Sequence, residues 1–140
     1  MNYEFVAKKV KQMIAEVVPN AVIYFANETP KESSTLDIGI AVAETDANPY
    51  TESEMKRLAS VSILLSVPVS TSTERINNIA SKIQAMFCPI VSKKSGFRVE
   101  TGEWMRIHSS RQMAGFVNEQ FQKYQINVRV ELDLYTYEGE

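Results

Sequence analysis

Few residues in this chain have types that could do chemistry beyond packing: His108, Cys88 and the carboxylates Glu131 and Asp133. With one histidine and one cysteine, a zinc centre of the usual nitrogen and sulfur type lacks ligands, and no metal site is expected. His108 stands between Arg106 and Arg111 with no orienting acid that the sequence can name, so it reads as a strand histidine rather than a general base. Cys88, next to Pro89 after an apolar helical stretch, reads as a buried structural thiol, because nothing nearby supplies the base that a thiolate nucleophile needs. Glu131 and Asp133 leave one strand face about 7 Å apart by strand rise, and a solvated outer face is a plainer reading than a glycosidase pair. Ser53-Glu54-Met55-Lys56 matches a bare S-x-x-K, but the companion motifs of such enzymes are missing. The sequence contains no G-x-x-x-x-G-K-[ST], G-x-G-x-x-G, H-E-x-x-H or G-x-S-x-G. No catalytic residue, cofactor or enzymatic activity is therefore expected.

The charges are the stronger signal. Between Ala26 and Glu54 stand Glu28, Glu32, Asp37, Glu44, Asp46, Glu52 and Glu54 against Lys31, with Tyr50 the one large side chain near the end of the run. Between Val91 and Arg111 stand Lys93, Lys94, Arg98, Arg106 and Arg111 against Glu100 and Glu103, interleaved with Phe97 and Trp104. Two readings are open: two solvated loop regions, or complementary surfaces that join one subunit to the next. Basic residues among aromatics could also stack nucleic acid, but that spacing is close to background and the whole chain has a net charge of −2. That balance gives no general case for nucleic-acid or membrane binding.

The surrounding elements must position these groups. At 140 residues, 44% hydrophobic and 23% charged, the chain reads as one domain, 1–140, with an ordinary globular composition. The lone cysteine excludes an internal disulfide, so packing or association must supply stability. There is no apolar run long enough to span a membrane and no secretory leader core in Met1–Lys11, so a reducing, cytosolic origin is expected.

Tyr124 to Tyr137 organises the rest. Tyr124, Ile126, Val128, Val130, Leu132 and Leu134 alternate with Gln125, Asn127, Arg129, Glu131 and Asp133, which is the period of a strand. Asn2 to Val18 carries Phe5, Val6, Val10, Met13, Ile14 and Val17 on a helical stripe, stopped by Pro19-Asn20. Ala21–Ala26 is a short strand. Leu36 to Ala43 alternates Leu36, Ile38, Ile40 and Val42 with Asp37, Gly39, Ala41 and Ala43, an unusually small outer face that fits either close packing against it or simple tolerance of small residues. Glu44 to Ser53 reads as an acidic turn. Arg57 to Val69 alternates again, with Pro68 near its exit from the sheet. Thr71 and Glu74 fit a capping box for a helix Ser72–Phe87 with Ile76, Ile79, Ala80, Ile83, Met86 and Phe87 on one face. Phe97–Glu100 and Trp104–His108 read as a hairpin around Gly102, and Ser109–Gln122 as either a loop or an extension of the strands beside it. The expectation is an α+β fold, a mainly antiparallel sheet with two amphipathic helices on one face.

The order and length of these elements resemble the tail terminator, or tail completion, proteins of long-tailed bacteriophages and tail-like particles. The likeness runs through Tyr3–Val18, Ala21–Val42, Leu58–Val69, Thr73–Phe87 and Phe97–Tyr137, closing on Leu132-Asp133-Leu134-Tyr135-Thr136-Tyr137-Glu138; Ser109–Gln122 has no clear counterpart. The resemblance implies a virion structural protein that caps the tail tube as a homo-oligomeric ring, commonly a hexamer, and forms part of the head–tail junction. Its partners would be itself, the tail tube protein and the head connector or neck protein, with no membrane, and with DNA only as the transiting genome. It would act in the virion tail after assembly in the host cytoplasm. A head–tail adaptor, a tail tube subunit or a small α+β binding module are the alternatives. The candidate subunit or partner contacts are Glu44, Asp46, Tyr50 and Glu52 on the acidic side, and Lys93, Lys94, Arg98, Trp104, Arg106 and Arg111 on the basic side.

Overall fold

The computed structural model describes residues 4–19, 21–25, 36–49, 54–69, 73–98, 104–120 and 122–137, with residues 4–5, 44–49, 54–58 and 134–137 as backbone alone. The elements in chain order are α1 (Glu4–Val17), β1 (Val22–Phe25), β2 (Asp37–Pro49), β3 (Glu54–Pro68), α2 (Thr73–Met86), α3 (Pro89–Ser92), β4 (Gly96–Arg98), β5 (Trp104–Gln112), β6 (Phe116–Asn118) and β7 (Lys123–Tyr137). The strands form one sheet in the order β1-β2-β3-β7-β5-β4, with β6 also on β7. The fold is α+β, as the patterning predicts.

β7 lies inside the sheet. It pairs with β3 from Pro68↔Lys123 to Glu54↔Tyr137, the whole length of both strands. Along its other side run β5 and then β6, one lane interrupted at 113–115. Pairing carries the alternation of β7 to its neighbours: Ile40, Ile63 and Val128 align in one row, and Ile38, Leu65 and Ile126 in the next. These side chains are almost wholly removed from water, each worth about 1.5–3 kcal/mol on burial. Val6, Val10 and Ile14 of α1 and Ile76, Ala80 and Ile83 of α2 join the same cluster, so both helices cover one face. Phe87 closes it at the β4 side, meeting Phe97 edge to face at 6.3 Å.

Several expectations need correction. Val17 is 39% exposed, not core; Val18, which donates to the Ile14 carbonyl at 2.8 Å, is buried instead. Glu44–Ser53 is not a turn as a whole. β2 runs on to Pro49 and β3 begins at Glu54, paired in register through Pro49↔Met55. Backbone pairing overrides the turn signal of Asn48-Pro49 because a continuous partner satisfies the amides on both sides. β1 pairs with β2 in parallel, a geometry that a tight turn cannot make and that the intervening residues 26–36 are long enough to connect. Part of Ser109–Gln122 is strand, the end of β5 and all of β6. Thr71 and Thr101-Gly102-Glu103 lie outside the described residues. No helix among those described is long and apolar enough to cross a membrane.

Candidate functional site

The face of the sheet opposite the helices carries the polar half of each alternation, and its residues are tied across the strands. Gln125 Nε2 donates to Ser66 Oγ at 2.9 Å and Asn127 Nδ2 to Ser62 Oγ at 2.8 Å. Asn118 Nδ2 donates to Gln125 Oε1, and Ser60 Oγ to Glu131 Oε1. At one end, Lys123 Nζ lies 2.5 Å from Asp37 Oδ2, whose side chain is 2% exposed. The ring of Tyr24 lies over Gly39, 3.0 Å from where a Cβ would stand. This is close packing against the small outer face of β2. Burial, and then the Asp37 carboxylate, push the Tyr24 phenol above its usual pKa, against the opposing pull of Lys123.

At the other end, the structure gives His108 an acid that the sequence could not name. Ile107 faces Leu132 and Ser109 faces Glu131, so His108 is the extra residue of a bulge, a device that re-aims a side chain. Its Nδ1 comes within 3.8 Å of Asp133 Oδ2. Asp133 is buried, not solvated, and among the described residues its Oδ1 has no hydrogen-bond partner, as is also true of Asp37 Oδ1. At 3.8 Å the contact is an ion pair when His108 is protonated and not a hydrogen bond. Among the described residues, no group of three or more His, Cys, Asp or Glu could hold a metal ion.

The proposed contact residues that are described fall on two flanks. Lys93 and Lys94 follow α3 and are exposed. Arg98, Trp104, Arg106 and Arg111 are exposed on β4 and β5. By register they share the polar face: Arg98 pairs with Trp104 and Arg106 with Gly96, and Arg106 stands opposite Asp133 and Arg111 opposite Arg129. The Arg98 guanidinium stacks over the Trp104 ring at 5.6 Å. Trp104 in turn lies against Gly96, where a Cβ would be 2.9 Å from the indole and 2.2 Å from the Met105 carbonyl. Two exposed arginines in register, Arg111 and Arg129, repel across the strands; Arg129 belongs to this basic surface and was hidden by its distance in sequence. Glu44 and Asp46 lie on β2, either side of a second bulge at Thr45, with their side chains outside the description. Tyr50 and Glu52 lie outside the described residues. Three strand steps separate β2 from β5, about 14 Å, so the acidic and basic residues belong to opposite flanks of one sheet and do not converge within one copy. The sequence reading also missed Ile90 and Val91 of α3, 83% and 62% exposed. Two adjacent apolar residues just before a lysine pair were the signal available.

No family model matches the sequence, and no curated protein matches it. Among solved structures, 24 chains match, so the architecture recurs. One of these, a protein without a descriptive name, aligns over 100% of this chain and 99% of its own with a TM-score of 0.62 at 10% identity. That likeness is one of fold alone.

Proposed function

We propose that this chain is a structural subunit of a phage-type tail, a terminator that closes the tail tube as a ring and contributes to the head–tail junction. The observation that carries the reading is the unlike chemistry of the sheet's two flanks. A ring built by rotation needs two different, mutually complementary surfaces on every copy. β2 brings Glu44 and Asp46 to one flank, while Arg98, Trp104, Arg106 and Arg111 occupy the other. Six copies arranged head to tail would satisfy both flanks at once. The tube protein and the head connector would meet the two ends of such a ring, and the role needs no catalysis.

Negative-stain microscopy and light scattering of the purified protein test this. Closed rings are expected. Long tubes would instead identify a tube subunit, and a monomer at every concentration would end the reading. Arg98→Glu with Arg106→Glu should dissociate the rings, and an unchanged oligomer would remove the charge pairing from the account.

A further inference from the structure

On the polar face, the lane of β5 and β6 sets two arginines and two apolar side chains in line along β7. Arg111 stands level with Arg129, and both are exposed. Among the described residues neither forms an ion pair. Glu131, two residues from Arg129, is half-buried and accepts from Ser60 Oγ at 3.3 Å. Further along the lane, Met113 donates its amide to the Asn127 carbonyl at 2.8 Å, and Phe116 pairs with Gln125. Their side chains are 42% and 48% exposed. Ser110 and Gln112, the alternate residues of β5, bond to Gln84 and Ser81 of α2. The helix therefore lies on the other face and leaves Arg111 uncovered.

The floor between these groups is fixed. Asn127 and Gln125 commit their amides to Ser62 and Ser66, and Asn118 commits its own to Gln125. Two guanidiniums at one end, and a thioether and a phenyl ring at the other, stay free to meet a ligand. From Arg129 to Gln125 is four residues of strand, about 13 Å.

That pairing selects the ligand. Like charges in register repel, and a bound oxyanion relieves the repulsion while matching the forked donors of arginine. A small anion alone would leave Phe116 unused, and an acidic peptide need carry no flat group to lie on it. An open sheet face also lacks the concavity that encloses a small molecule. Single-stranded nucleic acid has phosphates and unstacked bases together, and proteins hold it on basic surfaces with exposed aromatic rings. A double helix keeps its bases inside and could use only the arginines. The acids behind the net charge of −2 do not oppose this: Asp37 and Asp133 are buried, and Glu119 lies in the turn after β6.

We infer that this part of the polar face binds single-stranded nucleic acid without reading its sequence, with phosphates on Arg111 and Arg129 and a base stacked on Phe116. The inference goes beyond the ring reading. Arg111 is shared with the proposed rim; Arg129, Met113 and Phe116 are not.

Fluorescence anisotropy of a labelled oligothymidylate of about 16 nucleotides, the upper end of such sites, titrated with the full chain, tests it. Saturable binding that weakens as salt rises is expected. Arg111→Gln with Arg129→Gln should flatten the dependence of log affinity on log salt by about 1.4, twice the roughly 0.7 per phosphate of a single strand. Arg111→Lys with Arg129→Lys should keep the slope, and serves if the glutamines disturb β5, with circular dichroism as the check on folding. Phe116→Ala should weaken binding about fivefold or more with the slope unchanged, and Phe116→Tyr should bind as wild type does. No binding at about 50 mM salt, where such contacts are strong, overturns the inference. So does a duplex of equal length bound as tightly with Phe116→Ala without effect, which would be general charge attraction. Displacement of the oligonucleotide by polyglutamate at equal charge overturns it in favour of an acidic protein chain. Binding by a chain that stays monomeric supports it and ends the ring reading, and rings that bind no oligonucleotide do the reverse.

Discussion

Asp37 shows how one residue's role depends on what the fold sets beside it. In the sequence it is one acid of a long acidic run; in the structure it is 1% exposed and joined to Lys123, eighty-six residues away. A buried carboxylate without its cation keeps the desolvation penalty and loses the compensation. Lys123→Met should therefore destabilise the protein by about 2 to 3 kcal/mol, below the range for a fully buried pair because the lysine side chain is 26% exposed. Urea denaturation measures this. Adding Asp37→Asn removes the stranded charge and should recover part of the loss. A Lys123→Met protein as stable as wild type would show that the pair contributes nothing net. Asp133 is likewise buried at the far end of the polar face, 3.8 Å from His108, which forms an ion pair with it only when protonated. The acidic count between Ala26 and Glu54 thus overstates the charge available to a partner, since Asp37 is consumed internally.

At the scale of elements, β4 shares with β6 the shortest length of any strand described, and it frames the basic rim. It has three residues, held by the register Gly96↔Arg106 to Arg98↔Trp104 and by the Ile107 amide donating to the Ser95 carbonyl at 2.9 Å. Gly96 is there for space. A methyl group would lie 2.2 Å from the Met105 carbonyl oxygen, and backbone cannot step aside as a flexible side chain can. Gly96→Ala should cost about 2 to 3 kcal/mol, at the upper end for overpacking, measured as a lowered urea midpoint. It should also release Trp104, seen as a shift in its fluorescence, since this is the protein's one tryptophan. An unchanged midpoint and emission would mean that β4 is not locked at this position. The bulges at Thr45 and His108 act at the same scale: each adds one residue to a flanking strand beside the continuous β3–β7 pair, bending the lane it sits in.

For the whole molecule, the central fact is polarity from flank to flank. β3 and β7 form an unbroken middle, while the outer strands β1 and β4 are short, leaving parts of β2 and β5 at the rim. If opposite charges join copies, association must be sensitive to screening, because the Debye length falls from about 10 Å at 0.1 M salt to about 3 Å at 1 M. Sedimentation across that range should show the oligomer dissociating more readily as salt rises. An oligomer that tightens or stays constant would assign its stability to apolar contacts alone.

The sequence by itself determined the helices α1 and α2, the strand β7, the first half of β2 and most of β3, and which face of each is apolar. Periods of 3.6 and 2 are local properties of the chain, and burial of one face follows from them. Ile38, Ile63, Ile76 and Val128 could be placed in the core without coordinates, and the rim residues Lys93 to Arg111 could be singled out by charge. Only the tertiary structure decided that β7 runs between β3 and β5, that β1 is parallel, that Asp37 and Asp133 are buried, that Arg129 joins Arg111, and that Ile90 and Val91 stand clear of the core. Those are statements about which distant segments become neighbours. Pairing of distant strands is set by how the whole chain best fills one core and satisfies its backbone, which no local period encodes.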